Sequence, residues 1–385
     1  MTSPNTDIMD QLQAGKEILS FIYTDVIGPT KGKVVGYALM NTIPTHFIFS
    51  ASLEPLVDEP RIVDRYRIEI DRRSGELSDP KKIEITDEEM RQAIFAATGD
   101  TVATSTRFTD GVFSISYKVT VVDKPDTAYI VQMCFHGNMA SMDALMKFVD
   151  NYNKVKPGVI PMSAVYSIPG EAEHQEKTGF GRQITEFIPG VMAEAVYPQM
   201  PHSDKLQFVR KMALAWQGVW QLPIYPAELP RQKGELTAED VNGVICVFVG
   251  SDRHYSLGGP FTSVREWLKR RLLHEVDSLR RAEGIEDYKD EYMYRIQTFM
   301  DNRLDQIPET VEDCPIVAMH IDMGLDNIIV SAEDHTQINA VIDWELCVSA
   351  PFVAADYCLE MLFRYGAPNG FGTEYAQADE LRSAF

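Results

Sequence analysis

His320-Ile321-Asp322-Met323-Gly324-Leu325-Asp326-Asn327, followed one hairpin later by Val341-Ile342-Asp343-Trp344-Glu345, is the stretch on which the reading of this chain turns. The first part has the spacing H-x-D-x-x-x-x-N. The apolar runs Asn327 to Val330 and Ile338 to Ile342, joined by a polar turn with Glu333 and Asp334, predict two short strands that bring the ends of the stretch to one point. Asp322 is then a carboxylate placed to orient a hydroxyl and accept its proton. Asn327 and Asp343 supply an amide oxygen and a carboxylate, the hard oxygen ligands that Mg²⁺ takes. His320 is expected to hydrogen-bond within the loop and hold its shape. This combination is what phosphoryl transfer asks of a protein: little covalent chemistry, but a positioned carboxylate and a held divalent cation.

Outward from this loop the pattern predicts an α+β chain. Upstream of it, long helices are expected over Ser203–Gln221, Ser263–Ala282 and Asp287–Gln306. Further upstream the periodicity shifts to two. Thr101–Arg107, Phe113–Val122 and Ala128–Cys134 read as strands, with turns at Thr109-Asp110-Gly111 and Lys124-Pro125-Asp126. A helix over Met142–Asn153 and short strands at Val165-Tyr166 and Gln183–Phe187 complete a five-stranded antiparallel sheet. Thr86-Asp87-Glu88-Glu89 is a capping box that opens a helix ended by Gly99. Before it, Ile8–Tyr23 has helical spacing, Tyr37–Leu53 is rich in β-formers, Arg67–Asp71 alternates, and Arg72–Gly75 reads as a turn. The expected organisation is an extension over 1–84, a sheet lobe over 85–190 and a helical lobe over 191–385.

With these residues in view, the chain resembles the aminoglycoside phosphotransferase and choline kinase-like family, and especially its members from filamentous fungi. Beyond the loop, the resemblance rests on the helix Thr86–Gly99, on Ile184-Thr185-Glu186-Phe187-Ile188-Pro189-Gly190, on Leu257-Gly258-Gly259-Pro260-Phe261 before Glu266-Trp267-Leu268, and on Pro351–Tyr357. It spans the chain from about Ile85 onward. It implies a two-lobed protein-kinase-like fold with an antiparallel-sheet N-lobe, a mainly helical C-lobe and an extra N-terminal segment. It implies ATP or GTP between the lobes, Asp322 as catalytic base with His320 beside it, and Asn327 and Asp343 as ligands of Mg²⁺. Gly111 would belong to the phosphate-covering loop, and Glu186 and Ile188 to the hinge that meets the base. Glu345 would face the acceptor or the cation's outer shell.

Several positions depart from the family pattern. Where kinases carry a phosphate-binding lysine on the third strand, this chain has Gln132, which donates hydrogen bonds but brings no charge. The nearest acid on the following helix is Asp143, and the nearest lysines are Lys118 and Lys147. The loop at Gly111 holds one glycine and an aspartate, Asp110. Asp326 places a further charge beside Asn327.

Composition narrows the partners. The chain has 385 residues, 57 acidic against 36 basic, for a net charge of −21. Such a surface opposes nucleic acid and anionic membrane alike, but leaves room for a phosphate ligand carried with a metal. Five cysteines with irregular spacing and no C-x-x-C predict thiols in a reducing compartment. The N-terminus lacks the order of a signal peptide, and no apolar run reaches the ~18 residues of a membrane span. The expected setting is the cytosol, with a small-molecule substrate. The extra segment offers either a cover for the nucleotide lobe or a surface for a homodimer. Three functions fit: a small-molecule kinase serving secondary metabolism; an enzyme on the same scaffold doing nucleotide-independent cyclisation, isomerisation or hydrolysis, which Gln132 favours; and a pseudokinase-like binding module.

Overall fold

In the computed structural model the described residues are 33–42, 46–54, 64–71, 81–108, 114–134, 137–156, 160–225, 231–252, 257–281, 285–367 and 370–385. The expected helix Ile8–Tyr23, the turn Arg72–Gly75 and the loop Thr109–Gly111, with Gly111 itself, lie outside them. The chain divides into two compact units. One takes Met1–Asp143 and Val165–Phe187, and the other Ala144–Ala164 and Ile188–Phe385.

The first unit holds two antiparallel sheets. Strands β1 (Lys33–Thr42), β2 (His46–Glu54), β3 (Asp64–Asp71) and β4 (Lys81–Lys82) form one in sequence order. Helix α1 (Asp87–Thr98) follows, with the anticipated cap. Thr86 Oγ1 accepts from Glu89 N at 3.2 Å and Glu89 Oε2 accepts from Thr86 N at 2.9 Å, while Gly99, at φ +77°, closes the far end. The second sheet runs β5 (Val102–Arg107), β6 (Ser114–Val121), β7 (Lys124–Cys134) and β8 (Gly181–Glu186). Its alternation gives it two faces. Ile115, Val119, Val131, Met133 and Ile184 are buried against Met90 and Ile94 of α1, whereas Ser116, Gln132 and Gln183 are cross-strand partners on the opposite side.

Two expectations are corrected. The sheet has four strands, because Val165 makes only an isolated bridge to Thr185. The β6–β7 turn falls at Val122-Asp123, with Asp123 at φ +64°; Lys124-Pro125-Asp126 already belongs to β7, at its exposed start, where proline is tolerated. Helix α2 (Met139–Val155) follows β7, and α3 (Glu171–Thr178) precedes β8.

The second unit is helix-rich with small sheets. In chain order it carries β9 (Val191–Met192), α4 (Ala193–Val196), α5 (His202–Trp220), the hairpin β10 (Gly234–Val241) and β11 (Val244–Gly250), then α6 (Val264–Arg281) and α7 (Glu286–Asn302). After these come β12 (Ile316–His320), β13 (Ile328–Val330), β14 (Ile338–Val341), β15 (Cys347–Pro351), α8 (Asp356–Glu360), the hairpin β16 (Arg364–Ala367) and β17 (Gly370–Glu374), and α9 (Ala378–Ala384). The sheets are β11-β10-β15-β12, β14-β13-β9 and β16-β17. Helix α5 buries Phe208, Val209, Met212, Trp216 and Val219 along one stripe. The long helices fall within two residues of their predicted starts. The β10–β11 hairpin was not anticipated, although Asn242-Gly243, at φ +56° and +83°, is a strong hairpin signal. The class is thus the α+β one expected, an antiparallel-sheet unit followed by a helix-rich unit. Among the described residues no helix is long and apolar enough to cross a membrane.

Within the first unit, a buried ion pair ties α3 to β8. Glu171, 4% exposed, accepts from Arg182 N, Nε and Nη2 at 2.6, 3.0 and 2.8 Å. Removing the carboxylate strands a largely buried guanidinium. Glu171→Ala is therefore expected to cost about 3 kcal/mol, read as a lower urea midpoint by circular dichroism; an unchanged midpoint would contradict this packing.

Candidate active site

The catalytic loop grows out of β12, whose last residue, His320, pairs across the sheet with Cys347 of β15. Ile321 N donates to Leu346 O at 3.0 Å and Met323 N to His320 O at 3.2 Å, so the chain turns sharply after the strand. A 3₁₀ turn over Leu325–Asn327, closed by Asn327 N donating to Gly324 O at 3.1 Å, leads into β13. The β13–β14 hairpin returns in the register Ile328 opposite Val341. One step beyond, Ile342 N donates to Asn327 O at 3.0 Å. The hairpin therefore places Asn327 beside the residue that precedes Asp343.

Asn327, only 8% exposed, also reaches back to Asp322. Its Nδ2 donates to Asp322 O at 2.8 Å and to Asp322 Oδ2 at 3.0 Å. With the amide nitrogen turned to Asp322, the amide oxygen is the atom that can ligate a cation. Asp343 sits at φ +62°, in the left-handed region that few non-glycine residues occupy. Such a conformation persists where its surroundings over-determine it and is frequent at functional sites.

His320 does the over-determining. It is fully buried, and its Nε2 donates to Ile342 O at 3.0 Å, since a carbonyl can only accept. Its ring meets Trp344 edge-on at 5.3 Å, and Trp344 Nε1 donates to Val341 O at 3.0 Å. Among the described residues His320 Nδ1 has no hydrogen-bond partner. A buried imidazole so placed stays neutral: burial pushes its pKa down to about 4, against the opposing pull of the Ile342 carbonyl and the Glu345 charge.

The site is strongly acidic. The carboxyl of Asp326 is held above its usual range by crowding around it and by the charge of Asp322, although the residue as a whole is exposed. Burial, reinforced by the Asp343 charge, pushes the Cys347 thiol far up. Glu345 is half-buried two residues beyond Asp343. The Asp343 carboxylate and the Asn327 amide oxygen are hard-oxygen donors of the kind that suit Mg²⁺, which is usually held by one or two carboxylates with substrate phosphates and water completing its shell. Among the described residues no group of three or more His, Cys, Asp or Glu converges as a metal cluster.

Of the other predicted residues, Gln132 lies in the first unit, where its Nε2 donates to Ser114 Oγ at 2.9 Å. Asp143, 3% exposed, does not take Gln132 as the kinase pattern would suggest; it accepts from Gln183 Nε2 at 3.0 Å, one strand over. Lys118 rests its ammonium 3.8 Å from the Phe187 ring centroid. Glu186 ends β8 with an exposed side chain, and Ile188 follows it half-buried. Two contacts were not foreseen. Cys358 Sγ donates to Ile321 O at 3.2 Å, and Met361 Sδ lies where a side chain on Gly324 would go, 2.9 Å from an added Cβ. Neither carries a spacing signal, because both arrive from a distant segment.

The model of a family described as "Phosphotransferase enzyme family" matches residues 106–381. Solved structures with a similar chain path include a spectinomycin phosphotransferase in complex with ADP and spectinomycin, at 11% identity and TM-score 0.46, covering 78% of this chain and 79% of that one. A macrolide 2'-phosphotransferase type I is 13% identical, with TM-score 0.44 and coverage of 78% and 83%. A putative fructosamine-3-kinase from Thermobifida fusca gives 13%, 0.45, 78% and 83%. No curated protein matches the chain.

The His320 environment sets a pH dependence. The unfolded imidazole titrates near ~6.5 and the folded one near 4, so the unfolded chain binds the extra proton between these values. Stability from this residue is complete above about pH 6.5 and is lost as the pH falls through about 4, by up to about 3 kcal/mol. Unfolding free energies of the wild type and His320→Gln, compared from pH 7 downward, should converge in acid; parallel curves would contradict the assignment.

Proposed function

This chain belongs to the phosphotransferase enzyme family, and from that premise we propose that it transfers the γ-phosphoryl group of ATP or GTP to a hydroxyl of a small metabolite. The observation that carries the proposal is the double use of Asn327: its side chain holds Asp322 while its carbonyl holds Ile342 N, next to Asp343. One residue thus groups a proton-accepting carboxylate with a hard-oxygen pair, the arrangement in-line phosphoryl transfer needs. Asp322 orients the acceptor hydroxyl and takes its proton as the new O–P bond forms. Asn327 fixes the rotation of that carboxylate, and His320 fixes the peptide ahead of Asp343. Magnesium, when held by Asn327 and Asp343, supplies the positive charge that offsets the phosphates. Glu345 adds a carboxylate toward the acceptor or the cation's outer shell.

Nucleotide binding is assigned to the first unit's polar sheet face. Gln132 would donate to phosphate oxygens through its amide, without the charge of a lysine, and the loop around Gly111 would cover them. The backbone from Glu186 to Ile188 would meet the base. The acceptor is a hydroxylated metabolite, as befits secondary metabolism in the cytosol of a fungal cell.

A second reading, acid–base chemistry on a metabolite without nucleotide, is favoured by one observation. Gln132 and its partner Ser114 give the sheet face an uncharged pair where a phosphate-binding cation is usual. The two readings part cleanly in a coupled assay over a panel of hydroxylated small molecules. Phosphotransfer predicts turnover that requires nucleotide and Mg²⁺, and a fall in kcat of about 10²- to 10⁴-fold on Asp322→Asn, with nucleotide affinity retained. Turnover that survives EDTA and the absence of nucleotide would end this proposal in favour of the second.

A further inference from the structure

Helices α6 and α7 pack side by side along a seam that no described residue fills. Its edges are tied by polar contacts: Lys269 pairs with Asp305 just beyond α7, and Arg280 Nη2 donates to Gln297 Oε1 at 2.6 Å. Between them runs a groove of about 670 Å³, with Leu272, Val276 and Leu279 on one wall and Tyr292, Ile296 and Phe299 on the other. None of the seventeen residues of α7 is buried, despite its apolar stripe. A helix of this composition ordinarily covers its stripe.

The groove is separate from the acidic loop. Helix α6 turns Trp267 and Arg271 toward Ile321, the neighbour of Asp322. At about 100° per residue, Leu272, Val276 and Leu279 lie roughly a third of a turn away from them. The groove therefore opens on another side of α6.

Its chemistry is specific in one respect. Among the described residues Arg295 is the one charged member of its lining, in a chain of net charge −21. The guanidinium rests 5.8 Å from the Tyr292 ring centroid, and among the described residues no carboxylate pairs with it. The volume falls in the ~300–1,000 Å³ range of small-molecule sites, which combine apolar walls with a few placed polar groups.

We infer that the α6–α7 groove is a second binding site, for an apolar molecule carrying one acidic group, such as a long-chain or aromatic carboxylate. The walls take the apolar body, and Arg295, backed by Tyr292, takes the carboxylate. The inference does not depend on the activity proposed for the acidic loop.

The test uses the fluorescent acid 11-(dansylamino)undecanoic acid and its neutral methyl ester, titrated into the full chain. Saturable binding of the acid is expected, weakened about tenfold by Arg295→Met, a loss in the range of one charge-assisted hydrogen bond, while the ester binds both proteins alike. Phe299→Ala, at an exposed position, should weaken acid and ester equally, and Asp343→Ala should leave both unchanged. The inference is overturned if no saturable binding occurs, if Arg295→Met and Phe299→Ala have no effect, or if Asp343→Ala abolishes binding, which would place the probe in the acidic site. It is equally overturned if sedimentation shows a dimer that excludes the probe, since the occupant would then be a second copy of the chain.

Discussion

The candidate site depends on the peptide group of Ile342 being held at both ends. Its N–H goes to the Asn327 carbonyl and its carbonyl to His320 Nε2, each at 3.0 Å. These bonds set where Asp343 begins, and they allow that residue to remain at φ +62°, which costs of order 1 kcal/mol or more. The same asparagine holds Asp322, so three functional groups share one point of attachment. Burial enforces the arrangement. A charged His320 would be expelled toward water, whereas a neutral one keeps a single hydrogen to donate, and the Ile342 carbonyl is there to take it. Trp344 closes over the ring and is itself fixed by the Val341 carbonyl.

Much of this was legible in the sequence because it is local, although His320, expected to bond within its own loop, bonds the Ile342 carbonyl across the hairpin instead. His320, Asp322, Asn327 and Asp343 lie within one loop and one hairpin, and the apolar strands between them fix the register that joins their ends. The cap at Thr86 and the long helices are local signals too. What escaped was what distant segments contribute. Cys358 and Met361 reach the loop from the far side of β15, with no spacing to announce them. Helix α3 is polar along its length, and Glu171 is buried only because Arg182 pairs with it. The Lys124-Pro125-Asp126 assignment failed for another reason: proline was read as a turn signal, when the exposed start of a strand accommodates it equally well.

The first unit's second sheet has two chemically distinct faces. It has a buried face packed on α1 and a polar face carrying Gln132, Gln183, Ser114 and Ser116. The acid in the first turns of α2, Asp143, accepts from the amide of Gln183. An amide pair of this kind satisfies the buried carboxylate without providing a free cation for phosphate. Under the phosphotransfer proposed above, phosphate charge would be met chiefly by the divalent ion, which would place the weight on Asn327 and Asp343.

That dependence is the central claim, and calorimetric titration with ATP or GTP, with and without Mg²⁺, on the wild type and on Asp343→Ala tests it most directly. The account predicts nucleotide binding that appears only with Mg²⁺ and disappears in the variant. Binding that is indifferent to both, or none at millimolar nucleotide, would contradict it.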